Sequence, residues 1–254
     1  DHVIVDSKAG IAPGTKAAAV QPRSLEYLDR IDVASVLVED GLAGSGFVLA
    51  SPDRDLLRVP YTAIASPFPH LLLVGQEQTE VRLHERLVHL GGSVQRGVSL
   101  IDLRDGHPGS TALLADDSGA VHAISARYVA ACDGLHSAVR ELAGVGFPGV
   151  VPESKFAVAD VVLAVDDGLE PAAGFVLSPN GMLITSPLPG GVVRIVAAVP
   201  PDYRTPDADD IETLIRQRGG ASMRDAHIDH VVSSSVYHVQ ERVAETMATR
   251  RIFL

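Results

Sequence analysis

The chain has 254 residues, 46% hydrophobic and 21% charged, with a formal net charge of −11; that is ordinary globular composition, and so acidic a surface repels phosphate backbones and argues against nucleic-acid binding. Apolar runs such as Leu71–Val74 fall far short of the roughly 20 residues a membrane helix needs. A single cysteine, Cys132, excludes an intrachain disulfide framework and a cysteine-rich metal site, and with no secretory signal at the start a cytoplasmic protein is expected.

Val3–Val5 reads as a short buried strand ended by Asp6, followed by a loop with Gly10, Pro13 and Gly14. A helix is predicted from Pro22, where proline suits the first turn, with Leu25, Leu28, Val33, Val36 and Leu37 on its apolar face. Residues 44–75 mix short strands with turns at Pro52, Pro60, Pro67 and Pro69. Leu83, Leu87 and Leu90 fall at i, i+4, i+7 and predict a helix over 78–90, stopped by Gly91-Gly92. Strands follow near 94–104, 110–115 and 120–131, separated by Asp105-Gly106 and Ser118-Gly119. The buried run Tyr128–Ala131 then meets Asp133-Gly134, and a helix is expected from Ser137 to Ala143. After Pro148 the pattern is strand-like at 155–165, 174–178, 182–186, 192–199 and 229–239, with a helix over 208–217. The order is α/β first, then mostly antiparallel β. Ile252–Leu254 reads as a last strand. Both termini lying in mid-strand would leave sheet edges unpaired, so a fragment is expected.

The most informative segment is Cys132-Asp133-Gly134-Leu135-His136-Ser137-Ala138-Val139-Arg140. It leaves a strand and opens a helix. Gly134 permits a tight turn, and a helix N-terminus offers N–H groups and a positive dipole end to an anion. Taken alone, the nine residues read equally well as a strand–turn–helix with a capping Ser and a solvated Arg. In context they resemble the Asp-Gly motif of FAD-dependent aromatic-ring hydroxylases, the p-hydroxybenzoate hydroxylase-like class A flavoprotein monooxygenases. Lys16-Ala17-Ala18-Ala19-Val20-Gln21-Pro22-Arg23-Ser24-Leu25-Glu26 is similar to that family's Arg-Ala-x-x-Leu-x-Pro-Arg-Ser/Thr-Leu-Glu, with Lys16 in place of the flavin-contacting Arg. Lysine keeps the charge and loses the planar fork. Gln76-Glu77-Gln78-Thr79-Glu80 resembles the family's Gln-x-x-Thr-Glu segment, with Gly75 in place of Pro, and also reads as a capping box. Val3-Ile4-Val5-Asp6 looks like the second strand of a Rossmann-type unit ending in a ribose-binding acid.

The resemblance implies an incomplete Rossmann-like FAD-binding domain combined with a mostly antiparallel β substrate-binding domain. The FAD portion would be 1–45 and 71–150, the substrate portion 46–70 and 151–240, and 241–254 a return strand toward the FAD domain. It assigns cofactor contacts to Asp6, Lys16, Arg23, Gln76, Asp133, Gly134 and Arg140. Asp133 would lie by the pyrophosphate and Gln76 by the ribityl chain. Arg140 would fix the loop and serve the nicotinamide. The expected activity is hydroxylation of a small aromatic substrate, phenolic or polyketide-like, with O2 and NADPH or NADH through a flavin C4a-hydroperoxide. No protein residue is expected to be catalytic in itself, because the cofactor carries the chemistry. The family's upstream Gly-x-Gly-x-x-Gly turn and downstream Gly-Asp motif are absent from the chain, so weak or no FAD binding and no activity are expected of it alone. Val161, Phe175, Leu177, Met182, Ile184 and Val196 are candidates for a substrate wall or for core. Few aromatics there suggest a roomy site for a polycyclic substrate.

Flavin halogenases and geranylgeranyl reductases share the Asp-Gly motif but carry Trp signatures, and this chain has no Trp. Gly144-Val145-Gly146-Phe147-Pro148-Gly149 matches Gly-x-Gly-x-x-Gly as a string only, since it follows a helix and Pro148 blocks the next one. His227 and His230 lack metal-site spacing, and no metal is expected. Cys132 is expected to be a small core residue. The alternative from another class is a truncated, non-catalytic paralogue acting as a binding module.

Overall fold

The strand-like segments after residue 150 join two earlier strands in a seven-stranded sheet in the computed structural model, which describes residues 1–11, 17–164, 170–220, 223 and 225–254. From edge to edge the strands are Ile228–His238, Lys155–Leu163, Val192–Val199, Gly181–Leu188, Ala173–Ser178, Gly46–Ala50 and Asp55–Pro60. Neighbours are antiparallel except Ala173–Ser178 and Gly46–Ala50, which run parallel. Among the described residues the α-helices are α1 (Pro22–Asp29), α2 (Ala34–Asp40), α3 (Gln76–His89), α4 (Ala138–Leu142) and α5 (Ala208–Arg218). The fold is mixed α/β and mostly sheet, and none of these helices is long and apolar enough to cross a membrane.

The chain divides into two compact units, Asp1–Ala12 with Gly91–Val151 and Gln240–Leu254, and Pro13–Leu90 with Pro152–Val239. In the larger unit, side-chain period 2 sends Ala157, Ala159, Val161, Leu183, Val193, Ile195 and Ala197 to one sheet face, where they bury Ile211, Leu214 and Ile215 of α5. That helix starts at a reciprocal cap, in which the Asp207 carboxylate accepts from the Asp210 N–H and the Asp210 carboxylate from the Asp207 N–H. A small sheet of Ala19–Val20, Leu71–Leu73 and Leu42–Gly44 belongs to the same unit. Leu72 packs with Leu25 of α1 and Leu37 of α2, while Leu71 and Leu73 pack on Ala173 beside Phe47 and Phe175. Residues 17–45 and 71–90 therefore pack with the large sheet, so the packing boundary falls elsewhere than the functional division expected from sequence.

The smaller unit holds a parallel pair, Ile4–Asp6 with Val94–Arg96, and a meander of Val98–Asp105, Ser110–Asp116 and Val121–Ala126. Ile252–Phe253 lies between Val129–Ala130, to which it is parallel, and Ala248–Thr249. Leu103, Val139 and Ile252 form its core.

Four local expectations are corrected. The helix from Pro22 is two helices, because Asp32 adopts a positive φ of 56° between them and breaks the run. The apolar stripe of α3 is not covered, with Leu83 37% and Leu90 64% exposed. Arginines tether that helix instead: Arg82 to Asp40, and Arg86 to Asp32 and the Ile31 carbonyl. Val3, Ile4 and Tyr128 are exposed rather than buried: Ile4 lies on a short strand with a single partner, and Val3 and Tyr128 precede the paired residues. Cys132 is also exposed, because the Val129–Ala130 strand ends before it and the chain is already turning.

Candidate functional site

In the smaller unit the strand Val129–Ala130 runs into the Asp133 turn. Asp133 sits at φ −92°, ψ 4°, the bridge region favoured by turn and active-site residues, and Gly134 follows at φ +72°. A single 3-10 turn, Gly134–His136, precedes α4. The Asp133 carboxylate accepts from the Val139 N–H at 3.0 Å, and Ser137 Oγ accepts from the Arg140 N–H at 3.0 Å. The start of α4 is thus closed by two side chains, and the helix has only five residues. The expectation of free N–H groups at its N-terminus is corrected for Val139 and Arg140, whose donors are occupied. What stays open is the turn. No atom lies within 4 Å of where a Cβ on Gly134 would stand, and residues 132–136 are exposed. A glycine-opened turn with exposed backbone, its one carboxylate engaged inward, fits the close approach of an anionic phosphate group.

Arg140 is 9% exposed. Its Nη1 donates to the Leu135 carbonyl at 3.0 Å and its Nη2 to Glu141 at 3.1 Å. The side chain that sequence placed as a loop-fixing cation ties the turn to the helix that follows it. Asp6 lies in the same unit, at the end of its strand. Its Oδ2 accepts from Arg96 at 2.5 Å and its Oδ1 from the Lys8 N–H at 3.0 Å.

The remaining predicted contacts belong to the larger unit. Gln76 opens α3, where its N–H donates to the Ala17 carbonyl at 3.2 Å and its Nε2 to Glu80 at 2.8 Å. The pairing of Ala19–Val20 with Leu72–Leu73 thus brings Gln76 to the residue next to Lys16; Lys16 itself lies outside the described residues. The capping-box reading is corrected, because the N-cap is Gly75, which has no side chain, and Gln76 turns forward to Glu80. Hydrogen bonds from Arg82 and then Gln78 hold the Asp40 carboxyl below the usual carboxylate range and fasten α3 to α2. Arg23 is an exposed cation on α1, paired with Glu26 and lying over the Tyr27 ring; the structure does not bring it to Gln76.

Of the six candidate wall residues, Phe175, Leu177, Met182, Ile184 and Val196 share the sheet face opposite α5, as their cross-strand pairs Phe175↔Ile184, Leu177↔Met182 and Ile184↔Val196 require. Val161 is core on the α5 face. Sequence reading missed a polar row on the opposite face: Ser233, Asp160, Arg194 and Ser186 stand side by side on four neighbouring strands. Arg194 is 3% exposed and Asp160 7%. The discoverable signal was one charge in each of two otherwise apolar runs, 156–163 and 192–199.

A family model described as an FAD binding domain matches residues 1–254. The chain is 30% identical over 258 residues to 6-methylpretetramide 4-monooxygenase of Streptomyces rimosus, covering 99% of this chain and 45% of that protein. It is 23% identical over 246 residues to pentachlorophenol 4-monooxygenase of Sphingobium chlorophenolicum, covering 94% and 45%. The chain spans about half the length of the curated relatives it matches. Its fold is that of p-nitrophenol 4-monooxygenase from Pseudomonas putida DLL-E4, with a TM-score of 0.84 at 20% identity over 99% of this chain and 65% of that one. Aklavinone-11 hydroxylase, solved with FAD and aklavinone, matches with a TM-score of 0.75 at 22% identity over 99% and 51%.

Proposed function

This chain belongs to the FAD binding domain family, among the FAD-dependent aromatic-ring hydroxylases, and we propose that the whole protein hydroxylates a phenolic or polyketide-like aromatic substrate with O2 and NADPH or NADH. FAD, when bound, would supply the redox chemistry of the hydroxylation. The observation that carries the reading is the Asp133–Gly134 turn, open at Gly134 and closed behind by Asp133, Ser137 and Arg140.

In this reading the Gly134 backbone lies against the pyrophosphate, and Asp133 keeps the turn in shape by holding the Val139 N–H. Arg140 fixes the loop, and its enclosure leaves little of it for a second cofactor. Asp6 takes the ribose hydroxyls. A carboxylate has about four acceptor positions, and Arg96 and Lys8 use two of those on Asp6. Gln76 and Lys16 take the flavin and its ribityl chain. Arg23 keeps a surface role, in line with its pairing to Glu26. Portions 1–45 and 71–150 provide this Rossmann-like cofactor side; 46–70 and 151–240 provide the substrate side, with 241–254 returning to the cofactor side.

Phe175, Leu177, Met182, Ile184 and Val196 form one wall of the substrate site, holding the ring by shape and excluding water from the reaction. Their common face supports this. A cytoplasmic location is part of the same proposal.

The test is the absorbance spectrum of the purified protein at its natural length, before and after NADPH in air. A bound-flavin band, with NADPH oxidation stimulated by phenolic or polycyclic aromatic compounds, is the expected result. A folded protein without a flavin band would overturn the proposal in favour of a binding module, a reading that the relatives do not support. Turnover of simple phenols alone would reject a polycyclic substrate.

A further inference from the structure

Phe147 stands between Gly146 and Gly149 of a string that resembles a nucleotide-binding turn but has no use as one. In the structure its ring centre lies 4.5 Å from the guanidinium carbon of Arg140, and Arg242 approaches the same ring at 5.9 Å. Arg140 is nine-tenths buried and donates Nη1 to the Leu135 carbonyl. Its planar group is therefore held by a carbonyl of the turn and by an aromatic face. Guanidinium groups stack well on aromatic rings, and the attraction strengthens as water is removed.

The ring has its own support. Residues 146–149 are fastened to 241–245: the Gly146 N–H donates to Glu245 Oε2 at 3.2 Å, the Glu245 N–H to the Gly146 carbonyl at 3.1 Å, and the Val243 N–H to the Pro148 carbonyl at 3.2 Å. Gly149 pairs with Arg242 across the same two segments. A continuous series of contacts thus runs from 241–245 through Phe147 and Arg140 to the Leu135 carbonyl.

We infer that Phe147 is a positioning residue: its ring fixes Arg140, and through Arg140 the shape of the 133–137 turn. This rests on reading that turn as the FAD pyrophosphate site. Phe147 itself is given no contact with the cofactor.

The test compares Phe147→Leu and Phe147→Tyr in the natural-length protein, by amide hydrogen exchange and by FAD titration. In Phe147→Leu the Val139 and Arg140 amides should exchange about tenfold faster and the FAD Kd should rise about tenfold, with the melting temperature little changed. Phe147→Tyr, which keeps the π face, should restore both. Unchanged exchange in the leucine variant would overturn the inference. So would a tyrosine variant as impaired as leucine, or faster exchange with unaltered FAD affinity. If the wild-type protein retains no FAD, the cofactor reading fails, and the exchange comparison alone decides whether Phe147 holds the turn.

Discussion

Arg194 and Asp160 face each other on adjacent antiparallel strands and make two parallel hydrogen bonds, Nε to Oδ1 at 2.7 Å and Nη2 to Oδ2 at 2.8 Å. Ser233 Oγ adds a third to Oδ2 at 3.2 Å. Removing one partner of such a buried pair strands the other charge. Asp160→Ala should therefore cost about 3–5 kcal/mol of stability, whereas Asp160→Leu with Arg194→Met should recover most of that loss. Urea unfolding of the three proteins measures it, and equal losses in the single and double variants would contradict the pairing.

Two glycines separate backbone strain from crowding. At Gly134 a methyl group meets nothing, so Gly134→Ala pays only for a left-handed backbone, about 1–2 kcal/mol. At Gly149, with φ +148°, a methyl would stand 2.1 Å from the Glu241 carbonyl oxygen. Gly149→Ala should lose clearly more stability and expose the amides of 241–243 to exchange. Denaturant midpoints and hydrogen exchange together distinguish the two cases.

Asp116 organises the hairpin between Ser110–Asp116 and Val121–Ala126. Its Oδ1 accepts from Ser118 Oγ, the Ser118 N–H and the Ala120 N–H. The Ser118 hydroxyl is the chief reason its pKa falls to about 2. A depressed carboxylate contributes its stability above the unfolded value of 3.8 and loses it as pH falls toward 2. Asp116→Asn keeps an acceptor oxygen and removes the titration. The stability difference between wild type and Asp116→Asn should be flat above about pH 5 and shrink below pH 4. A difference independent of pH across that range would refute the assignment.

Adjacent residues on one strand should behave oppositely. Leu183 is fully buried against α5, so Leu183→Ala should cost about 2–5 kcal/mol. Ile184 is half-buried on the opposite face, and Ile184→Ala should cost less while changing KM for an aromatic substrate. Thermal melts and steady-state kinetics on the natural-length protein test both halves.

What sequence made legible was what local physics controls. Gly134 and the Ser137 cap announced a turn into a helix, and strand-like runs between Pro/Gly turns located five strands of the large sheet. The leucine stripe of α3 predicted a helix correctly but not its tether, because periodicity gives a face and not its cover; Arg82 and Asp40 meet only after the chain folds back. The Asp160–Arg194 pair escaped for the same reason. Two lone charges in apolar strands become partners only when a specific register sets them opposite. Cys132 was misplaced by treating the residues before the turn as one buried strand, when the paired part stops at Ala130.

The parallel pairing of Val129 with Ile252 also has a consequence during synthesis. The strand that leads into the Asp133 turn receives its neighbour only after roughly 120 further residues have been made, on the order of ten seconds at ribosomal speed. Until then its backbone N–H and C=O groups on that side are open, as are the Pro148 and Gly146 carbonyls that later accept from Val243 and Glu245. Within its unit, the turn that the flavin is proposed to read is thus among the last parts of the nascent chain to become set.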